Sequence, residues 1–294
     1  MLPEKKTFMA LNSKHHLPIV GLGTYQMTEN VSEVIKKAIE IGYRHFDTAT
    51  LYKNEDQLGK AIKEVLSQGK ISREEIFLTT KIWNNEKDDV EKSLRAALSR
   101  LQMDYVDLYL IHWPMGYYDN DNNLILKPLY KTWREMEECV KKGLCKSIGV
   151  SNFNVQLLLD LWSYAEIKPA VNQIEFHPYL QQTKLVKFCQ KFGIQIVAFS
   201  LFTRGRLNVL EDPVIVEIAK KHKAKTSQVI LKWCVNLGVA AIPKSTNADR
   251  LKENFNFEEI ALDEEDMKKI GSLDCGKRVT FRICEEDFKI PLFD

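Results

Sequence analysis

From residue 18 onward the chain repeats one pattern: a short apolar run, a polar loop, then a segment with apolar residues three and four apart. The short runs are 19–22, 45–46, 76–80, 106–111, 147–150, 170–174, 195–199 and 239–242, eight in all. Each is of strand length, whereas the intervening segments carry a helical period. In 31–41 the residues Val34, Ile35, Ala38 and Ile39 share a face, and in 89–101 Val90, Leu94, Ala97, Leu98 and Leu101 do the same. Further helices are expected at 55–68, 129–142, 154–165, 183–192, 212–222, 227–237 and 249–255. Eight strands alternating with helices in 294 residues predict an α/β chain closed into a (β/α)8 TIM barrel. An open doubly wound sheet is the alternative. Against it, Gly21-Leu22-Gly23-Thr24-Tyr25-Gln26 lacks the third glycine of a dinucleotide fingerprint, and no helix comes directly after it. Ahead of the first strand, 8–11 and 17–19 flank a polar stretch at 12–16, an expected β-hairpin able to cap the barrel floor. No linker divides the chain, so one domain over 1–294 is expected.

Composition narrows the class. The chain is 45% hydrophobic and 28% charged, enough for a sizeable core. A net charge of +2 gives no reason to expect a nucleic-acid or membrane partner. No apolar stretch approaches the ~20 residues that span a bilayer. The start, Met1-Leu2-Pro3-Glu4-Lys5-Lys6, lacks the apolar segment of a secretory signal. The cysteines (Cys139, Cys145, Cys189, Cys234, Cys275, Cys284) show neither C-x-x-C nor zinc-like spacing, which reads as reduced thiols in the cytoplasm. No histidine–carboxylate spacing suggests a metal site.

In a barrel the chemistry sits where strands end. Thr24 and Tyr25 come after the first run, Asp47 and then Tyr52 after the second, Lys81 after the third and His112-Trp113 after the fourth. Ser151 and Asn152 come after the fifth, Gln173 lies in the sixth, Ser200 comes after the seventh and Lys244-Ser245 after the eighth. Asp47, Tyr52, Lys81 and His112 together form a set able to donate a proton to a carbonyl oxygen. Lys81, directly behind an apolar strand, needs a carboxylate if it is buried. Asp47 is the natural partner, with capping of the next helix as its other reading. An ammonium ~4 Å from Tyr52 would favour phenolate by about 4 kcal/mol, roughly three pKa units at an effective dielectric near 20, with desolvation opposing.

Several segments together resemble the aldo-keto reductases: Gly42-Tyr43-Arg44-His45-Phe46-Asp47-Thr48-Ala49, Tyr52-Lys53-Asn54-Glu55, Thr80-Lys81, Ile111-His112-Trp113-Pro114, Gly149-Val150-Ser151-Asn152-Phe153 and Val171-Asn172-Gln173-Ile174-Glu175-Phe176-His177-Pro178. Ile242-Pro243-Lys244-Ser245 with Arg250 and Glu253-Asn254 is similar to that family's cofactor-anchoring segment. The resemblance implies a (β/α)8 barrel that reduces aldehydes and ketones with NADPH and no metal. It implies catalysis by Tyr52 as general acid, with Lys81 and Asp47 tuning it and His112 orienting the carbonyl. It implies nicotinamide ligands at Ser151, Asn152 and Gln173, stacking by Phe199, and further cofactor contacts from Thr24, Ser200, Glu253 and Asn254. Lys244, Ser245, Asn247 and Arg250, near an expected helix N-terminus, suit a dianionic 2′-phosphate.

Tyr25, Trp113, Met115, Tyr117 and the 275–294 segment are candidate walls of the substrate pocket, the last folding over the barrel mouth in relatives. Ser200-Leu201-Phe202-Thr203 departs from the family's Ser-Pro-Leu-Gly, so a different local backbone is expected there, while the loop 204–208 looks short beside that of relatives, and less complete cover of the cofactor is expected from it. The polar stretch 118–123 reads as a flexible loop tip. The expected partner is a small-molecule carbonyl substrate, and the family's common state is a monomer. A cofactor-binding barrel without catalysis is the alternative function.

Overall fold

The computed structural model describes residues 8–119 and 121–280. Eight parallel strands form one sheet in sequence order: β1 (Leu22–Gly23), β2 (His45–Asp47), β3 (Phe77–Ile82), β4 (Val106–Ile111), β5 (Cys145–Ser151), β6 (Val171–Glu175), β7 (Gln195–Phe199) and β8 (Ala240–Ala241). The sheet closes on itself. Val20 bridges Ala241 in parallel, Gly21 N donates to Ala241 O at 2.8 Å, and Ala241 N donates to Ile19 O at 2.9 Å. The result is the expected (β/α)8 barrel, with a first strand shorter than its apolar run.

Side-chain alternation divides the core in two. Leu78, Tyr109, Ile111, Ile148, Val150, Ile196 and Ala198 join the outer cluster between strands and helices. Phe77, Leu108, Leu110, Val171, Val197 and Ala240 form a second cluster inside the barrel, joined by Leu11 and Leu17 of the N-terminal hairpin. That hairpin, Phe8–Ala10 paired with His16–Pro18, covers the floor as anticipated. Asn12 Nδ2 donates to Pro169 O at 2.9 Å, and the Ser13 and Ser147 hydroxyls lie 2.7 Å apart. On β3 and β4 the inward row changes character along the strand, reading Phe77, Thr79, Lys81 on β3 and Leu108, Leu110, then His112 beyond β4. An apolar floor carries a polar mouth.

All nine expected helices form, from Val31–Ile41 to Ala248–Phe255. Val31, Val34, Ile35, Ala38 and Ile39 bury one face of the first, which ends at Gly42 with φ 124°. A tenth helix, Glu264–Gly271, was not anticipated from the apolar pattern. It buries only Asp266 and Ile270, and its signal was the capping box of Asp263 with Asp266. The stretch expected as a flexible tip lies between two short strands. Tyr117–Tyr118 pairs with Leu124–Ile125 as a small hairpin, and Asp119 Oδ1 accepts from the Asp121 and Asn123 amides at 3.0 and 2.8 Å. Local carboxylate–amide bonds brace Asp121 and Asn123 against Asp119.

Helix Glu55–Ser67 crosses the end of Val90–Leu101 at Gly59, where an added Cβ would stand 2.1 Å from Leu101 O. Backbone cannot move aside as a side chain does. Gly59→Ala is expected to lower unfolding free energy by about 1–3 kcal/mol, measured by urea denaturation.

Candidate active site

The strand alternation that buries Phe77 and Leu108 inward also turns Asp47, Lys81, His112, Gln173 and Phe199 into the mouth. Lys81, with no exposed surface, donates to Asp47 Oδ1 at 2.6 Å, Thr48 O at 2.9 Å and Tyr52 Oη at 3.2 Å. Asp47 is therefore the ammonium's partner and not a helix cap. Its other oxygen accepts from Gln173 Nε2 across the barrel at 2.7 Å. Tyr52 sits on the 3-10 turn Thr50–Tyr52. The two residues behind that turn anchor it: Asn54 receives Thr48 Oγ1 at 2.8 Å, and Glu55 receives Thr80 Oγ1 at 2.6 Å and Arg100 Nε at 2.7 Å. Tyr25 and His112 pack edge-on to the Tyr52 ring, at centroid distances of 5.0 and 5.6 Å.

The electrostatics correct one expectation. Burial raises the Tyr52 phenol and outweighs the opposing pull of Lys81, so its net position lies above, not below, that of free tyrosine. Burial also drags the Lys81 ammonium down, but Asp47 and Tyr52 together overcome this and hold it above the ordinary lysine range. Burial, aided by Lys81 and Lys87, pushes His112 well below the ordinary histidine range. At neutral pH the mouth thus holds a protonated phenol, an ammonium and a neutral imidazole. His112 Nδ1 is buried without a partner.

A cavity of about 650 Å³ runs from Tyr52, His112 and Trp113 past Asn152, Gln173 and Phe199 to Lys244, Asn247 and Arg250. Tyr25, Ser200, Ser245, Glu253 and Asn254 also line it. Thr24, Ser151 and Met115 do not. The Thr24 hydroxyl donates to Asp47 O at 2.9 Å, and Ser151 Oγ donates to Gln173 O at 2.9 Å, so both brace their neighbours. Met115 presents its carbonyl to Lys87 Nζ at 2.8 Å. Tyr117 also stays outside, bonded to Asp88 Oδ2 at 3.3 Å. Strand ends alone do not reveal Lys225, Thr226 and Ser227, which line the far end. They open the helix Thr226–Asn236, between two helices and not after a strand.

Several features suit a nicotinamide dinucleotide. Asn152, left-handed at φ 65°, uses its amide hydrogens on His112 O and Ser151 Oγ, while its buried Oδ1 has no partner and can accept from a carboxamide. Phe199 offers a flat apolar face. Lys244 and Arg250 are exposed, and among the described residues no carboxylate lies within ion-pair distance of either. The loop after β7 reaches the cavity through Arg204 and Gly205, with left-handed backbone at Ser200, Thr203 and Arg204. Arg204 Nε donates to Ser200 Oγ at 2.9 Å, and its guanidinium stands 4.7 Å over the Tyr25 ring. Thr280 reaches the rim, the Cys275 and Lys277 amides donate to Tyr179 O at 3.3 and 3.1 Å, and 281–294, with Arg282 and Cys284, lies outside the described residues.

Residues 19–274 match the model of the aldo/keto reductase family. The chain belongs to this family. Among curated aldo/keto reductases it is 42% identical to Aldose reductase B of Dictyostelium discoideum over the whole of both chains. It is also 42% identical to the NAD(P)H-dependent D-xylose reductase of Scheffersomyces stipitis, across 96% of this chain and 98% of that one. Among solved structures, the aldose reductase of Schistosoma japonicum superposes with a TM-score of 0.89 at 34% identity, covering 95% of each chain. An aldo-keto reductase complexed with NADPH gives 0.91 at 35% identity, covering 98% of this chain and 93% of that one. Family and relatives together support reduction of a carbonyl with a nicotinamide cofactor.

Removing one member of a buried ion pair leaves the other uncompensated. Asp47→Asn would strand Lys81 and set an amide against the Gln173 amide. Its unfolding free energy in urea is expected to fall by about 3–5 kcal/mol.

Proposed function

We propose that this aldo/keto reductase reduces aldehydes and ketones with NADPH, with Tyr52 as general acid, Lys81 and Asp47 as its electrostatic support, and His112 orienting the carbonyl. The observation that carries the reading is one ammonium bonded to both Asp47 Oδ1 and Tyr52 Oη at the mouth of a cavity of about 650 Å³ that runs on to Lys244 and Arg250. The bound cofactor supplies hydride to the carbonyl carbon. The chain's own residues manage the oxygen. Tyr52, held protonated by burial, donates a hydrogen bond to that oxygen, and a neutral His112 donates a second. As negative charge grows there, these donors gain strength in a site with little water. Tyr52 then gives up its proton, and the phenolate is received by Lys81 at 3.2 Å. Asp47 keeps Lys81 charged throughout, and Gln173 keeps Asp47 in place. Asn152 and Gln173 hold the carboxamide end, Phe199 the ring, and Tyr25 and Trp113 the substrate.

Lys244 and Arg250 support NADPH over NADH, since two exposed cations beside a helix N-terminus match a dianion. A panel of aldehydes and ketones followed by loss of NADPH absorbance tests the reaction class, and absence of turnover with all of them would overturn it. Tyr52→Phe is expected to bind NADPH with unchanged affinity while kcat falls by about 100- to 10,000-fold. Substantial residual turnover would remove the phenol from its role. For Lys244→Ala combined with Arg250→Ala, the Kd for NADPH, measured by fluorescence titration, is expected to rise about 10- to 100-fold. The Kd for NADH should change little.

A further inference from the structure

A second buried ammonium lies beside the site and has no part in the proton relay. Lys87 comes directly after the 3-10 turn Asn84–Glu86 and is 7% exposed. Its Nζ donates to Asn84 Oδ1 at 2.9 Å, Trp113 O at 2.6 Å and Met115 O at 2.8 Å. All three acceptors are uncharged. Among the described residues no carboxylate stands within ion-pair distance, in contrast to Lys81.

Burying a cation against neutral oxygens is costly, and a methionine of similar length would fill the space with less penalty. What methionine lacks is three hydrogens aimed at three oxygens. Two of those oxygens belong to the segment that carries the Trp113 indole into the cavity, immediately after His112. Trp83, on the same turn as Lys87, packs edge-on against the His112 ring at 5.0 Å. Lys127 Nζ in turn holds the Lys87 carbonyl at 2.6 Å. The loop after β3 and the loop after β4 are thus tied together at one nitrogen.

We propose that Lys87 is a positioning residue for substrate, fixing the Trp113–Met115 segment so that the indole wall stands in register with His112. This rests on the carbonyl-reductase reading for its effect on kinetics, but the tie itself has a readout that needs no turnover.

The tie is sensitive to protonation. Burial brings Lys87 down to about 7. Below that pH the ammonium has a hydrogen for each of its three oxygens. Above it the amine has two, and one oxygen loses its donor. The ionisable groups near it are His112 on the barrel side, Glu86 and Asp88 on its own loop, and Lys127 at its carbonyl. Glu86 is engaged with the Trp83 amide at 3.1 Å, and Asp88 with the Tyr117 hydroxyl at 3.3 Å. His112 lies well below neutrality, so it does not titrate near 7.

Two variants test the tie. In Lys87→Met, hydrogen exchange across 112–119 is expected to accelerate about tenfold or more while 244–254 keeps its protection. KM for the carbonyl should rise about tenfold, with kcat and the NADPH Kd within about twofold to threefold of the parent. In the parent, KM should climb as pH passes upward through about 7, and in Lys87→Met it should lack that step. Asn84→Asp gives Lys87 a carboxylate in place of the amide. The Asn84 Nδ2 is buried with no partner, so no hydrogen bond is lost. A countercharge favours the ammonium, so the KM step should move to higher pH in this variant. Unchanged exchange in Lys87→Met would overturn the tie whether or not any carbonyl is reduced. Faster exchange with KM unaltered, or a pH step that stays put in Asn84→Asp, would overturn the positioning role. A parent that reduces no carbonyl would instead overturn the function assigned above, with exchange still deciding whether the segment is pinned.

Discussion

A countercharge holds a fully buried ammonium charged well above neutrality, and at this barrel's mouth Lys81 and Asp47 stand 2.6 Å apart. Most of the polar geometry depends on that pair. Asp47 has a second oxygen to satisfy, and Gln173 reaches across from β6 to do so. Lys81 has further hydrogens, and the Thr48 carbonyl and the Tyr52 hydroxyl take them. Tyr52 must therefore return to the mouth after leaving β2, and Asn54 and Glu55 lock the turn that brings it back. A pair of this kind adds little to stability over a well-packed apolar core. Its value lies in fixing the positions of a phenol and an amide that a hydrophobic core would leave free.

Much of this was readable because two periods coincide. A two-residue alternation puts residues 77, 79 and 81 on one side of β3, so an apolar floor and a polar mouth on the same strand predict that Lys81 points inward. The same holds for His112 above Leu108 and Leu110. Once strands are parallel and in order, such residues converge whatever the loops do. That is why the polar residues at the strand ends were enough to locate Asp47, Lys81 and His112, whereas Tyr52, on the turn after β2, was legible only from the resemblance of its own segment to the family.

The hidden features depended on balances and on places away from strand ends. Asp47 and Lys81 could be paired on charge alone, but the net acidity of Tyr52 needed the degree of burial, which no spacing reveals. Thr24 and Ser151 stand at strand ends like their neighbours, yet each hydroxyl turns back to a carbonyl of the adjoining strand. Lys225 to Ser227 belong to a helix–helix junction, which the strand pattern does not touch. The helix Glu264–Gly271 is held by a carboxylate capping a backbone amide, a signal weaker than an apolar stripe.

The seam where the barrel closes has a mechanical meaning. Strands β1 and β8 are only two residues each, and the bridge between Val20 and Ala241 joins parts of the chain more than two hundred residues apart. Bringing such distant segments together carries a loop-closure entropy that few local contacts offset there. Gly23 lies on one lip of this seam and Ile242 and Pro243 on the other, and all three line the long cavity. A ligand that reaches both lips would act as a clasp on the ring. Its binding energy adds directly to the free energy of keeping the circle shut, so occupancy and integrity of the barrel become one linked equilibrium.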